Sequence, residues 1–399
     1  MGGIRSLCLV AVVAALGCAG RVATPLPQEA YVWQRQWTPA LTSALDESAQ
    51  TFGGYRVLAS ETDHAGALAP AHVDAAVLAR VQRPIVAVFR LNGSAPPPDA
   101  ASLAADIRQI AQDWRAAGVL LAGIEIDHDC ATARLADYAR LLANLRRGWP
   151  ADLRLSITAL PAWIGAAALP EVLREVDESV LQVHAVRAPA AGLFDAAAAR
   201  RWVDAYAKLA PHPFRISLPA YGVRVAFDAG GRPLAAEAEA DAPDGIVGDA
   251  RELRAEPQHV ARLLRDLERA PPPHLAGVLW FRLPTDDDRR AWSLATLRAV
   301  VVGAPLAAHF EARLVDAADG ARDLIVANRG VVDAAPPSLR VDARACLAGD
   351  AGQGYDLRHG TGVWRFVAAG DAPLRAGRER SVGWLRCDIV EKVNIDATP

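Results

Sequence analysis

The 399 residues predict an α/β protein, a (β/α)8 TIM barrel followed by a small all-β, sandwich-like domain. Three observations carry that prediction. Eight short β-like runs alternate with helical stretches across residues 30–303, the pattern of parallel βα units. Their span of about 270 residues is the usual size of such a barrel. After Pro305 the texture changes to short strand-like runs separated by Gly, Pro, Asp or Ala-rich turns, with no long helix.

The predicted barrel strands are Tyr31–Arg35, Tyr55–Glu61, Ile85–Asn92, Val119–Asp129, Leu153–Ala159, Val180–Val186, Arg215–Ala220 and Gly277–Leu283. Apolar residues recur at helical spacing over Ala101–Ala117 and Leu135–Arg147. Helical signal is weak between strands two and three, so that unit is expected to be irregular. Arg224–Glu256, rich in Gly, Pro, Asp and Ala, reads as an insertion after strand seven. Loops at that end of a barrel build active sites, and this one is placed to serve as a lid. In residues 304–399 the predicted strands are His309–Val315, Asp323–Asn328, Ser338–Asp342, Gly362–Val367 and Arg380–Asp388.

At the N-terminus, Arg5 precedes an apolar run from Leu7 to Leu16, too short to span a bilayer but suited to a signal-peptide core. Ala15-Leu16-Gly17-Cys18 resembles a lipobox. Residues 1–18 are therefore expected to be a lipoprotein signal, with Cys18 lipidated and residues 19–29 acting as a tether; the alternative is ordinary cleavage after Ala-x-Gly with Cys18 incidental. Ala19, rather than Asp, after the cysteine points to the outer membrane. The expectation is an exported, lipid-anchored protein on the periplasmic or cell-surface face.

Cysteine use fits export. Cys8 leaves with the signal, and Cys346 and Cys387 both lie in the C-terminal domain flanked by strand-like residues, where they are expected to pair. The formal charge of −3 and 52% hydrophobic residues give no sign of disorder or of a nucleic-acid partner. The basic residues are almost all arginine, with Lys208 and Lys392 the only lysines. No Cys-x-x-Cys or His-rich spacing marks a zinc site, and no cofactor is expected. The chain is expected to be a monomer.

Strand four carries the chemistry. Its sequence is Gly123-Ile124-Glu125-Ile126-Asp127-His128-Asp129-Cys130. Alternation puts Glu125, Asp127 and Asp129 on one face and the isoleucines on the other, with same-face neighbours about 6.5 Å apart. The isoleucines pack on helices, so the acids face into the barrel. Carboxylates in so apolar a setting repel each other and lose hydration, and at least one should keep its proton near neutral pH. A protonated acid beside an ionised one is the pair that glycoside hydrolysis uses. Two plainer uses stay open: bonding to neighbouring Arg or His, or holding Ca²⁺ or Mg²⁺. Other strand ends supply Trp33, Glu61, Arg90, Gln182, His184, Tyr221, Trp280 and Arg282. Rings, amides, guanidinium groups and carboxylates together suit a sugar, with Trp280 the expected platform beneath a pyranose ring. Arg282 has an alternative role as partner to the acids.

The blocks GIEIDHDCAT, SITALPAWI, LQVHAVRAP, ISLPAYGV and GVLWFRLPTDDDRRAW resemble, over roughly Tyr31 to Val300, a bacterial domain-of-unknown-function family, number 3142. That resemblance implies kinship with glycoside hydrolases. Strand four also looks like the Asp-Gly-x-Asp-x-Asp-x-Glu motif of family-eighteen chitinases. That likeness implies that Asp129 protonates the leaving oxygen while Asp127 orients the acetamido group that acts as nucleophile. It also implies that Trp280 floors the sugar site. Ala122 stands where the motif has its first acid, Asp129 where it has glutamate, and Gln182-Val183-His184 where strand six has a Tyr-Asp pair.

The leading expectation is a cell-envelope carbohydrate-active hydrolase acting on a polysaccharide or oligosaccharide. Asp129 is the expected general acid, Asp127 the orienting or stabilising base, and Glu125 tunes their protonation. The alternatives are a non-catalytic glycan-binding or envelope-scaffolding lipoprotein and a metal-dependent hydrolase. The C-terminal domain is open to two uses, binding carbohydrate or docking on the barrel; beyond Trp364 and Trp384, which read as core, it shows no clear aromatic strip, so docking is the expectation.

Overall fold

A computed structural model describes residues 24–63, 66–93, 97–184, 192–228, 233–237, 249–370, 372–388 and 393–395. The signal segment with Cys18 lies outside the described residues, as does Lys392.

Eight parallel strands close into a barrel: β1 (Gln28–Val32), β2 (Tyr55–Thr62), β3 (Ile85–Leu91), β4 (Leu121–His128), β5 (Arg154–Ala159), β6 (Glu178–Gln182), β7 (Phe214–Pro219) and β8 (Leu275–Phe281). Closure is complete because β1 pairs with both β8 and β2. The first strand starts at Gln28, inside the segment read as tether. Gln28 is fixed there by accepting the Trp280 indole N–H at 2.7 Å. After each strand comes a helix: α1 (Pro39–Ser48), α2 (Ala75–Val81), α3 (Ala100–Ala116), α4 (Leu135–Arg146), α5 (Leu169–Arg174), α6 (Ala196–Tyr206), α7 (Pro257–Arg269) and α8 (Leu294–Val302). Local chemistry sets several boundaries. Thr38, Asp74, Asp99, Asp195 and Ser293 accept first-turn N–H groups, and α8 stops at Gly303, whose φ of 70° costs a glycine little. The weakly signalled unit between β2 and β3 holds a short antiparallel strand, Leu68–Pro70, and the seven-residue α2.

Strand alternation separates two environments. Ile124 and Ile126 of β4 point out and are fully buried against the helical layer with Tyr138 and Leu142. Inward residues stack in layers, as expected for a filled barrel. The lowest is ionic: Arg56 pairs with Glu125 and Glu178 and reaches Glu29 at 3.4 Å, while Arg215 lies 3.1 Å from Glu178 and 3.2 Å from Glu29. Above it sits an apolar layer of Tyr31, Leu58, Val88, Val180 and Leu279. The uppermost opens at the strand C-terminal ends.

The segment after β7 forms a three-stranded antiparallel sheet from Gly222–Phe227, Pro233–Glu237 and Asp249–Arg254. Arg224–Glu256 was expected as an insertion placed to serve as a lid; residues 229–232 and 238–248 of it lie outside the described residues.

The C-terminal domain has two four-stranded antiparallel sheets. Its strands are β9 (Phe310–Asp316), β10 (Arg322–Asn328), β11 (Leu339–Asp342), β12 (Cys346–Ala351), β13 (Tyr355–His359), β14 (Val363–Ala368), β15 (Glu379–Cys387) and β16 (Val393–Ile395). One sheet runs β9-β10-β15-β12 and the other β13-β14-β11-β16. Leu324, Val326, Leu339, Val341, Phe366, Val382 and Leu385 form a core of their own. Cys346 and Cys387, neighbours across β12 and β15, are joined by a disulfide.

The second domain grips the loop after β8. Asp333 accepts from the Ser293 N–H at 2.6 Å, the Ser293 hydroxyl at 2.7 Å and the Ala376 N–H at 2.8 Å. Arg375 donates to the carbonyls of Thr285 (3.0 Å), Asp286 (3.1 Å) and Asp288, and Arg378 pairs with the Asp286 carboxylate.

Candidate active site at the barrel mouth

The three acids of strand four do not share one environment. Glu125 sits deepest, wholly buried, accepting from the Tyr31 hydroxyl at 2.7 Å and from Arg56. Burial pushes its carboxyl above the ordinary range, against the pull of Arg56. It belongs to the ionic layer, with the apolar layer between it and the mouth.

Asp127 stands at the centre of the mouth, 1% exposed. One carboxyl oxygen accepts from the Thr158 hydroxyl at 2.6 Å and the Gln182 amide at 3.5 Å, and the other from Arg90 at 2.5 Å. Asp129, just beyond the end of β4, is half-buried and lies 3.4 Å from the other Arg90 nitrogen. Its Oδ1 is buried and has no hydrogen-bond partner among the described residues. Burial, with the Asp127 charge adding to it, raises the Asp129 carboxyl to about 6, and Arg90 only partly opposes them. The pair thus holds one strongly bonded carboxylate and one acid poised near neutrality.

Aromatic groups wall this centre. Trp33 meets Tyr31 edge-on at 5.8 Å and Phe281 at 5.3 Å, with the Arg90 guanidinium 5.5 Å from its ring centre. His184 stacks on Phe281 at 5.5 Å and hydrogen-bonds the Ser217 hydroxyl at 3.2 Å and the Tyr221 hydroxyl at 3.4 Å. Burial lowers His184 to about 4 and lifts Tyr221 to about 12, so both are neutral across the physiological range. Glu61 sits at the rim, held by Arg35 at 2.6 Å and 2.8 Å; these bonds keep its carboxyl below the usual range.

Two expected contacts fail. Trp280 is fully buried and points to the helices, 6.2 Å from Trp292, so it cannot floor a sugar. The inward phase of β8 is set by Leu279, and Phe281 takes the wall position instead. Arg282 is also buried and pairs with Asp288 at 2.9 Å, and its charge is felt at Tyr221, so it stands behind the mouth and offers no surface to a substrate. Phe281 and Ser217 also line the mouth, although neither was expected there from the strand ends. The only signal for Phe281 was its parity with Gly277 in an otherwise apolar run, which does not reveal the inward face. Among the described residues no group of three or more His, Cys, Asp or Glu is arranged to hold a metal ion.

Comparison with known proteins bears on the same region. No curated protein matches the chain. Among solved structures, the Bacillus cereus spore cortex-lytic enzyme SleL superposes with a TM-score of 0.51 at 14% identity, covering 70% of this chain and 74% of that one. A chitinase from Chromobacterium violaceum gives a TM-score of 0.49 at 16% identity, covering 69% of this chain and 98% of that one. At such identities the SleL likeness shows a shared fold, the (β/α)8 barrel. A family model described as a domain of unknown function, DUF8456, matches residues 311–388. Residues 81–286, from the end of α2 to the loop after β8, match the model described as a domain of unknown function, DUF3142. That match takes in more than half of the chain and all of strand four, and the protein belongs to the DUF3142 family.

Proposed function

We propose that the barrel is a carbohydrate-active hydrolase of the cell envelope that cleaves glycosidic bonds at its mouth. The single observation behind this reading is the pairing of Asp129, raised to about 6, with the buried and hydrogen-bonded Asp127. Asp129 donates its proton to the leaving oxygen as general acid, and Asp127 orients or stabilises the group that develops positive charge. Arg90 holds the two acids in register. Trp33, Phe281 and Tyr221 give apolar faces to a sugar ring, and Gln182 and the neutral His184 offer hydrogen bonds to its hydroxyls. Glu125 acts from below, fixing the base of strand four. Once the signal is removed, a lipidated Cys18 anchors this activity at the outer membrane.

The test is release of reducing ends by residues 19–399 from a panel of envelope and biofilm polysaccharides. Wild-type release that Asp129→Asn abolishes supports the assignment. Full activity in Asp129→Asn would sink it. A second reading, a lipoprotein that holds a glycan intact, is favoured by one feature: Arg90 already pairs with both mouth acids. Tight binding of a glycan that stays uncut in the same panel would select it. A divalent cation in this mouth would have to displace Arg90, which argues against the metal-dependent alternative.

A further inference from the structure

We propose that the outer face of the sheet β13-β14-β11-β16 binds a polyuronate, an acidic polysaccharide lying across the strands along a row of three arginines. This goes beyond the barrel reading and stands whether or not the mouth cleaves anything.

The row follows from the strand register. Arg358 lies opposite Arg365, Arg365 opposite Arg340, and Arg340 opposite Asn394. Directly paired residues project from the same face with Cβ atoms about 5 Å apart. That face is the outer one, because Leu339 and Phe366, next in sequence to Arg340 and Arg365, are fully buried in the domain core. All four side chains of the row are exposed. Like charges set directly opposite each other destabilise a sheet. Elsewhere in this domain such cross-strand charges have opposite sign, as in Arg322 with Asp316 at 3.3 Å. Neither Arg358 nor Arg365 has an ion-pair partner among the described residues. An anionic ligand on this row removes a repulsion that the fold leaves standing.

The flanking residues decide the class of ligand. Asp342, paired with Arg344, and Val363 lie on one side of the row, and Asp356 and Val367 on the other. Four arginines against two aspartates leave the described part of this face at a net +2, and the row itself carries only positive charge. A flat anionic membrane would press on both aspartates, whereas a single chain along the row avoids them. Trp364 packs inward against the core, so the face presents no ring, among the described residues, of the kind that single-stranded nucleic acid stacks on. An acidic peptide adds to a sheet at its edge through the backbone. This row instead crosses strands whose backbone groups are already paired with each other. With strands about 4.8 Å apart, the row spans about 14 Å. A polyuronate offers one planar, singly charged carboxylate per sugar, matched in charge and shape to a guanidinium fork, and hydroxyls for the Asn394 amide.

The test is biolayer interferometry of residues 19–399 carrying Asp129→Asn, against alginate, dextran, poly-glutamate and phosphatidylglycerol vesicles. The expected result is binding to alginate but not to dextran, weakened about tenfold by Arg365→Gln and severalfold by Arg358→Gln. Binding should vanish at about 1 M salt, where charges are screened beyond about 3 Å. Arg386, an exposed arginine on the other sheet, is the control: Arg386→Gln removes the same charge and should leave alginate binding unchanged. Each row variant should keep or raise the melting temperature, because it relieves repulsion. Absence of alginate binding overturns the proposal. So does alginate binding that Arg365→Gln leaves intact, or that Arg386→Gln weakens equally. Arg365-dependent binding that is tighter to poly-glutamate or to the vesicles than to alginate overturns it as well.

Discussion

Asp129 owes its proton affinity to its place just past the end of β4, where burial raises it first and the Asp127 charge adds to that. Its ordinary value of 3.8 rises to about 6 in the folded protein, so the folded state binds more protons between those limits. Ionising Asp129 therefore costs stability as pH rises through that window, and the same step removes the general acid. Activity is expected to fall as pH climbs past about 6. In Asp129→Asn the urea midpoint should lose the part of its pH dependence between about pH 4 and 6; an unchanged slope would mean Asp129 titrates normally. Arg56 poses the opposite case, a cation among buried carboxylates. Arg56→Met leaves Glu125 and Glu178 without their shared partner and is expected to cost about 3–5 kcal/mol in urea unfolding. A much smaller loss would show that the glutamates take up protons instead. These residues differ in how legible they were. Asp127, Asp129 and Gln182 are polar groups alternating with buried apolar ones, so period two marks their face. Val278, Leu279, Trp280 and Phe281 are all apolar, and nothing in that run distinguishes the barrel lumen from the helical layer.

Strands and helices were read most reliably where hydrophobic runs are bounded by turn residues. All eight barrel strands were anticipated, with ends shifted by a few residues, because each is an apolar run too short to be a helix. Three C-terminal strands were missed. Cys346–Ala351 is built mostly of small residues, Tyr355–His359 is half charged, and Val393–Ile395 is three residues long, so none shows an alternating pattern. Their pairing comes from partners elsewhere in the chain, which a local pattern does not contain. One of them carries half of the disulfide. Cys346 and Cys387 close a loop with a sequence separation of 41, and removing that constraint costs about 3–4 kcal/mol by loop-closure entropy. The Cys346→Ser/Cys387→Ser double variant should lose this much in unfolding of the C-terminal domain. A loss below about 1 kcal/mol would show that β12 and β15 hold their register unaided.

The two domains meet through the loop between β8 and α8, and that contact makes the C-terminal domain part of the barrel's support. Arg375 holds four carbonyls of the loop, and Asp288 within it holds Arg282 at the end of β8. Arg375→Ala, a change in the second domain, is expected to destabilise the barrel by about 2 kcal/mol, the usual scale for losing charge-assisted hydrogen bonds. Differential scanning calorimetry would show it as a lowered barrel transition; an unmoved barrel transition would mean the domains merely touch. The docking itself was anticipated from the lack of an aromatic strip, but the responsible residues were not. Arg375 and Asp333 bond mainly to backbone groups, which leave no trace in side-chain patterning. The layered interior has a consequence for traffic. Beneath the mouth, Tyr31, Leu58, Val88, Val180 and Leu279 close the lumen, and the ionic layer seals it again. The opening is a blind cup: whatever enters must back out through the same doorway, so a polymer can be gripped or cut there but never threaded through.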